Sequence, residues 1–346
     1  MADYIRQMPD QGSDDLARRP SLARRLHIDV PLLLLLLLLT VYGLVVLYSG
    51  SGSDMGAVIR QARYFALAYG VMFVIAQINL QRTMRWAPWF YLLGLGLLVA
   101  VIFVGVGAKG AQRWLSLGGF RFQPSEILKL VLPLTIAWYL ADRSLPPRLV
   151  HILVCLALLG LPAVLILKQP DLGTALLIAS SGLFVLFMAG LGWRYIFGAV
   201  LLAIGSAWPM WMFVLKDYQK QRILTMLDPE SDKLGAGWNI IQSKTAIGSG
   251  GWEGKGWMQG TQSHLDFLPE SHTDFIIAVL SEEFGLRGVL LLMGIYLLIL
   301  LRGFWIGLRA QTSFGRMAAG SLTLTFFVYI FVNMGMVAGL LPVVGV

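Results

Sequence analysis

The chain has 346 residues, 57% of them hydrophobic and 13% charged, with a net charge of +8. This composition excludes a soluble domain with a large core and describes a polytopic membrane protein. It also argues against nucleic acid as a partner, because the basic residues are spread among short connections, with no basic amphipathic element and no binding fold.

Residues 1–29 form a polar cytoplasmic tail carrying Arg6, Arg18, Arg19, Arg24 and Arg25. No cleavage site follows the first apolar run, so that run is retained as a span and is not a signal peptide. Apolar stretches long enough to cross about 30 Å of hydrocarbon lie at about 30–48, 62–80, 87–106, 125–141, 149–167, 171–190, 193–215, 274–301 and 317–339. They predict an all-α polytopic membrane protein with about nine transmembrane helices in one domain over 30–346, and a large outer loop, 216–273, between the seventh and eighth. Only Lys168-Gln-Pro-Asp171 separates the fifth stretch from the sixth, so these are either two spans or one broken hairpin. The leucine block Leu32–Leu39 suits lipid contact, and Cys155, the sole cysteine, excludes an intramolecular disulfide or a cysteine metal site. Arg82 and Arg85, Arg143 and Arg148, Arg194, then Arg302, Arg309 and Arg316 occupy alternate connections and mark the cytoplasmic side. Segments 49–61 and 107–124, the turn at Lys168 and the loop 216–273 then face outward.

In 107–124, Gly118-Gly119 between short apolar pairs predicts a tight hairpin turn, and Pro124 with Ser125 opens the next span. Arg113 and Arg121 lie on this outer segment. Inside the span, Glu126 and Lys129 are three residues apart and share a helix face. Either charge alone deep in a bilayer costs about 2.5–3.5 kcal/mol, so they pair or face a wet cavity. Glu126 reads equally as a strut between spans or as a binding residue, whereas Lys129, one turn inside the outer face, is placed to meet a phosphate. Asp171 follows Pro170 and precedes an apolar run, which is an ordinary helix cap.

The loop 216–273 is long for a connection, and its interleaved Trp, Ile and Phe residues predict packing on the membrane interface. Trp238-Asn-Ile-Ile-Gln242-Ser243-Lys244-Thr-Ala-Ile247 is a short amphipathic helix candidate. Gly248-Ser-Gly-Gly251-Trp-Glu-Gly254-Lys-Gly256 after it offers unhindered amides to a phosphate or sugar, but matches neither the P-loop nor the dinucleotide fingerprint. His264, Asp266, Glu270 and His272 match no zinc spacing, leaving a loosely held magnesium on a substrate pyrophosphate as the open alternative. No nucleophile elbow is present.

Asp274 stands where this loop enters the next apolar run. One reading makes Thr273 or Asp274 the helix cap. The other makes Asp274 a general base, its pKa raised by desolvation beside the apolar run.

Taken together, seven ordered segments resemble the SEDS family of cell-wall polymerases, in its elongation branch. They are Gly110-Ala-Gln-Arg-Trp114, Phe122-Gln-Pro-Ser-Glu126 with Lys129, Gln169-Pro-Asp-Leu-Gly-Thr174, Asn239-Ile-Ile-Gln-Ser243, Ala246-Ile-Gly-Ser-Gly-Gly251, Gly260-Thr-Gln262 and Phe267-Leu-Pro-Glu-Ser-His-Thr-Asp-Phe275. The resemblance implies a peptidoglycan glycosyltransferase of the bacterial inner membrane that polymerises lipid II. Asp274 falls on the family's essential carboxylate, and Arg113, Glu126, Lys129 and Asp171 on positions of importance. Gln242, Ser243, Lys244, Arg121 and His272 are further candidates for substrate contact, and Glu270 for the charge network. The implied partners are a class B penicillin-binding protein and other elongation-complex membrane proteins, within membrane lipid. Family members usually have ten spans, so the resemblance also implies truncation after Leu340-Leu-Pro-Val-Val-Gly-Val346.

The implied mechanism has Asp274 take the proton from the acceptor sugar's 4-hydroxyl while Arg113, Lys129, Arg121 or Lys244 stabilise the departing pyrophosphate. Rival readings are a flippase for the same lipid, since intramembrane charges and broken helices suit alternating access, and a non-catalytic scaffold that activates a cell-wall synthase.

Overall fold

A computed structural model of the chain describes residues 26–108, 111–117, 120–169, 171–232, 235–264 and 271–342. The first three helices are α1 (Val30–Gly50), α2 (Met55–Ala76) and α3 (Leu80–Val104), followed by strands β1 (Val106–Ala108), β2 (Ala111–Leu117) and β3 (Phe120–Phe122). Next come α4 (Pro124–Ala141), α5 (Leu149–Lys168), α6 (Leu172–Met188) and α7 (Trp193–Pro209), the last running into a π-helical turn, Met210–Val214. The long connection holds α8 (Asp217–Leu227), a 3₁₀ turn (Pro229–Asp232), α9 (Ala236–Gly250) and α10 (Thr261–His264), before α11 (Ile276–Arg309) and α12 (Ser313–Val337).

Every apolar stretch expected to span becomes a helix, which makes the protein an all-α polytopic membrane fold. Seven of these helices are long and apolar enough to cross a bilayer. The other two are α6, which is apolar but shorter, and α4, which carries Glu126 and Lys129. Hydropathy misplaces the ends because polar caps set them. Asp54 accepts from Gly56 N at 2.8 Å and starts α2 at Met55, and Asn79 accepts from Gln81 N at 3.0 Å and starts α3 at Leu80. Each helix therefore extends about two turns N-terminal to its apolar stretch. The α5–α6 region resolves into two helices packed side by side. None of Leu32–Leu39 is buried, in keeping with lipid contact.

Two apolar cores form. One gathers Leu98, Leu128, Leu132, Ile136, Ile178, Val185 and Met317 from α3, α4, α6 and α12, with Cys155 of α5. The other gathers Val46, Ala246, Phe275, Val279, Leu292 and Val337. Helix α12 belongs to both and joins them, whereas α2 and α7 bury none of their described side chains.

Helices α1 and α11 lie antiparallel and are fastened at both ends. At one end Arg302 donates to both Asp29 oxygens, at 2.9 and 2.7 Å, and these bonds hold the Asp29 carboxyl below its usual range. Toward the other end Tyr42 donates to Gly288 O at 3.1 Å and Ser49 to Glu283. That second end carries the hairpin and the long connection, and is called the loop end below.

Candidate active site at the loop end of the bundle

The hairpin predicted around Gly118-Gly119 is seen in its flanks: β2 and β3 pair antiparallel, Leu115 with Phe122, Ser116 with Arg121 and Leu117 with Phe120, while the two glycines lie outside the described residues. β1 pairs with β2 across a bulge at Val106/Gly107. The sheet carries Arg113 to the head of α6, where its Nη1 stands 3.4 Å from Asp171 Oδ2. Asp171 caps α6 as expected, accepting from Thr174 N at 3.1 Å and from the Thr174 hydroxyl at 2.9 Å. One buried carboxylate thus starts a helix and anchors the hairpin. Arg113 keeps a quarter of its side chain exposed, and its planar fork of five N–H donors is the shape that recognises carboxylate and phosphate oxygens.

Glu126 and Lys129 pair at 2.7 Å. The pair is lopsided: the Lys129 side chain is 4% exposed and that of Glu126 55%. The ammonium also lies over the Tyr329 ring, 5.1 Å from its centre, which ties α4 to α12. Glu126→Ala strands a buried cation, whereas Lys129→Ala leaves a carboxylate that water can reach. Glu126→Ala is therefore expected to cost more folded protein, about 1–3 kcal/mol once the open side of the pair is allowed for. In a double-mutant cycle the two changes together should cost less than their sum, and strict additivity would remove the coupling.

The amphipathic helix expected around 238–247 is α9. Buried Ser243 donates to Val337 O at 2.6 Å, docking α9 on the end of α12. Lys244 is exposed and its aliphatic stem lies against Gly339, while Gln242 is half-buried.

The glycine-rich segment does something the sequence did not suggest. Helix α11 is broken at Gly285, where φ is 62° and ψ −162°, a conformation open essentially to glycine alone. An unbroken helix would bond Leu286 N to Glu282 O and Arg287 N to Glu283 O. Instead residues 251–256 lodge in the break. Leu286 N and Arg287 N donate to Gly251 O and Trp252 O at 2.9 and 3.3 Å, and Lys255 N and Gly256 N donate to Glu282 O and Glu283 O at 3.0 Å each. A Cβ on Gly254 would stand 2.6 Å from Gly285 N. The amides of Gly254, Lys255 and Gly256, expected to be open to a phosphate or sugar, are thus taken up by protein carbonyls.

Beside the break, Glu282 has no exposed surface. Its Oε1 accepts from Lys255 Nζ at 2.6 Å, Thr261 N at 2.8 Å, Thr261 Oγ1 at 3.0 Å and Gln262 N at 3.1 Å. Sequence reasoning passed over Glu282 and Glu283. The signal was available, since two acids within an apolar run are as costly as Glu126 and Lys129 and demand partners in the same way.

Asp274 is half-buried, directly before α11. The cap position of α11 is Phe275, the residue after Asp274 and two beyond Thr273, and Ile276 N donates to Thr273 O at 3.4 Å. Buried Phe275 and the bond from Ser271 Oγ to Gly50 O, 2.9 Å, fix this approach against the end of α1. Ile276 and Ile277, the next residues of α11, wall a cavity of ≈ 460 Å³ between α1, α2 and α11, lined also by Leu36, Leu39, Tyr69 and Met72. His272 and Arg121 are exposed. Asp266, Glu270 and the side chain of His264 lie outside the described residues, and among the described residues no three His, Cys, Asp or Glu side chains converge as a metal site.

The family model for FtsW, RodA and SpoVE, described as cell cycle protein, matches residues 30–346. The peptidoglycan glycosyltransferase MrdB of Escherichia coli K12 is 53% identical over 322 residues, 93% of this chain and 87% of that protein. A probable peptidoglycan glycosyltransferase FtsW of Trichlorobacter lovleyi is 37% identical over 347 residues, 96% and 89% of the two chains. Among solved structures, a chain from a peptidoglycan synthase complex that coordinates polymerization and crosslinking is similar with a TM-score of 0.78 and 31% identity, covering 92% of this chain and 89% of that one. The crystal structure of the rod shape determining protein RodA of Thermus thermophilus gives 0.67 and 28%, covering 92% and 87%.

Proposed function

Because the chain belongs to the FtsW, RodA and SpoVE family and is a peptidoglycan glycosyltransferase of the membrane, we propose that it polymerises lipid II with Asp274 as general base. The observation that carries this reading is the placement of Asp274: a half-buried carboxylate two residues before α11, whose first residues, Ile276 and Ile277, wall the apolar cavity. A lipid-linked sugar needs that boundary, with its polyprenyl tail in apolar space and its reacting hydroxyl beside a carboxylate.

In the proposed step Asp274 accepts the proton of the acceptor sugar's 4-hydroxyl as that oxygen bonds to the donor's anomeric carbon. The bond from that carbon to phosphate breaks and polyprenyl pyrophosphate leaves. Arg113, beside Asp171 and a quarter exposed, stabilises the developing charge, assisted by exposed Arg121 and Lys244. Lys129, buried between Glu126 and Tyr329, serves by holding α4 to α12. Gln242 and His272 contact the sugars, and Ser243 contributes by docking α9.

The active face is the loop end, on the periplasmic side of the bacterial inner membrane, with the N-terminus cytoplasmic, because the Lys- and Arg-rich connections gather at the opposite end. The partner is a class B penicillin-binding protein, a transpeptidase, among other elongation-complex proteins. The solved relative from a complex that couples polymerization to crosslinking supports this. Purified chain with that partner should convert lipid II to glycan strands resolved by size on a gel. Transport of lipid II without polymer would favour the flippase reading instead.

A further inference from the structure

The break at Gly285 divides α11, and the part above it, residues 276–284, is about two and a half turns long and follows Asp274 by two residues. Two intrahelical bonds are lost at the break, so α11 by itself does not fix the angle between its two parts. Helix α1, one unbroken helix of 21 residues, bonds to both of them. Below the break Tyr42 donates to Gly288 O at 3.1 Å. Above it Ser49 Oγ donates to Glu283, a carboxylate 1% exposed that the proposed mechanism leaves unused. One turn nearer the head, Val279 shares a helix face with Glu283, and a Cβ on Gly50 would stand 3.6 Å from its side chain. At the head itself Ser271 donates to Gly50 O at 2.9 Å. Residues 271–284 thus meet Ser49-Gly50, the end of α1, from foot to head.

We infer that Ser49 and Glu283 are positioning residues for the glycosyl transfer: α1 splints α11 across its break, and their bond fixes where the upper part presents Asp274. The inference rests on Asp274 being the base. The inserted residues 251–256 satisfy the freed backbone groups, but only at the foot of that part. Val46, Phe275 and Val279 pack together higher up. Apolar helix surfaces are alike along their length and tolerate small shifts, whereas a buried polar contact selects one register. The register matters because a reacting group misplaced by about 1 Å costs about a hundredfold in rate.

The test uses the full chain with its transpeptidase partner and lipid II, reading kcat, KM and amide hydrogen exchange over 271–284. In Ser49→Ala we expect kcat to fall at least about tenfold and KM to stay within about twofold, with exchange rising over 271–284 while α12 keeps its protection. Glu283→Ala should match it. Glu283→Gln keeps an oxygen that accepts the Ser49 hydroxyl and should retain most of kcat. Tyr42→Phe removes the bond below the break and should give a smaller fall in kcat. Parental kcat or parental exchange in a folded Ser49→Ala overturns the inference, and so does a loss confined to KM. A folded Glu283→Gln as slow as Glu283→Ala overturns it too, because the charge and not the bond would then be what acts. Should Ser49→Ala fail to fold, Tyr42→Phe, the loss of one half-buried hydroxyl, decides by the same criteria. Asp274→Asn is run beside them. Polymer from that variant removes the base and the positioning role together, whereas an inactive Asp274→Asn beside a fully active Ser49→Ala overturns the positioning role alone.

Discussion

Asp274→Asn is expected to abolish glycan polymer while the protein still inserts, folds and binds its transpeptidase partner. Asparagine keeps the size and the carbonyl oxygen of aspartate but cannot take up the acceptor's proton. A general base contributes about 10²–10⁴-fold in rate, so a gel that separates glycan strands by length will register the loss. Buried Phe275 at the cap position of α11 and the Ser271–Gly50 bond hold the approach to the helix in this variant as in the parent. Strands made at near the parental rate by well-folded Asp274→Asn would end the proposed mechanism.

Arg113→Ala should produce the next largest loss. A hydrogen bond to a charged group contributes about 1.5–3 kcal/mol, or about ten- to a hundredfold in lipid II turnover, and Arg113→Lys should recover only part of it if two oxygens are gripped. The difficulty is that Arg113 also neutralises buried Asp171, and removing one member of a buried pair is destabilising for that reason alone. The double variant Arg113→Ala/Asp171→Asn separates the two roles. It restores neutrality and keeps an oxygen to cap Thr174 N, so folded yield should return while turnover stays low. If turnover returns with yield, Arg113 acts only as the counterion of Asp171, and the pyrophosphate must be met by other cations.

The parts of the site that were legible in advance were those written in local chemistry. Asp171 was readable as a cap from Pro170 and the apolar run after it. The Glu126–Lys129 pair followed from a helical spacing of three and the cost of leaving either charge alone. The strand pairing on either side of Gly118-Gly119 followed from its short flanking segments. What failed was the glycine-rich segment. Its composition announces only that other backbone comes close, and a phosphate and a broken helix both qualify. That the neighbour is α11 depends on Gly285, thirty-four residues after Gly251, and no local pattern relates the two.

By itself the sequence determined the class of fold, the order of the membrane helices, the end of the bundle where the unusual polar residues collect, and the family. Each of these depends on hydropathy summed over about twenty residues or on short-range spacing, and both are properties of contiguous chain. Tertiary structure alone decided which charges meet: Arg113 with Asp171, Asp29 with Arg302, Lys255 with Glu282, and Lys129 with the ring of Tyr329. A charge taken out of water must find a partner, so the sequence shows that partners exist. Their identity is set by which helices pack, and the apolar surfaces that drive packing in a membrane protein are chemically too alike for the sequence alone to tell which two will touch.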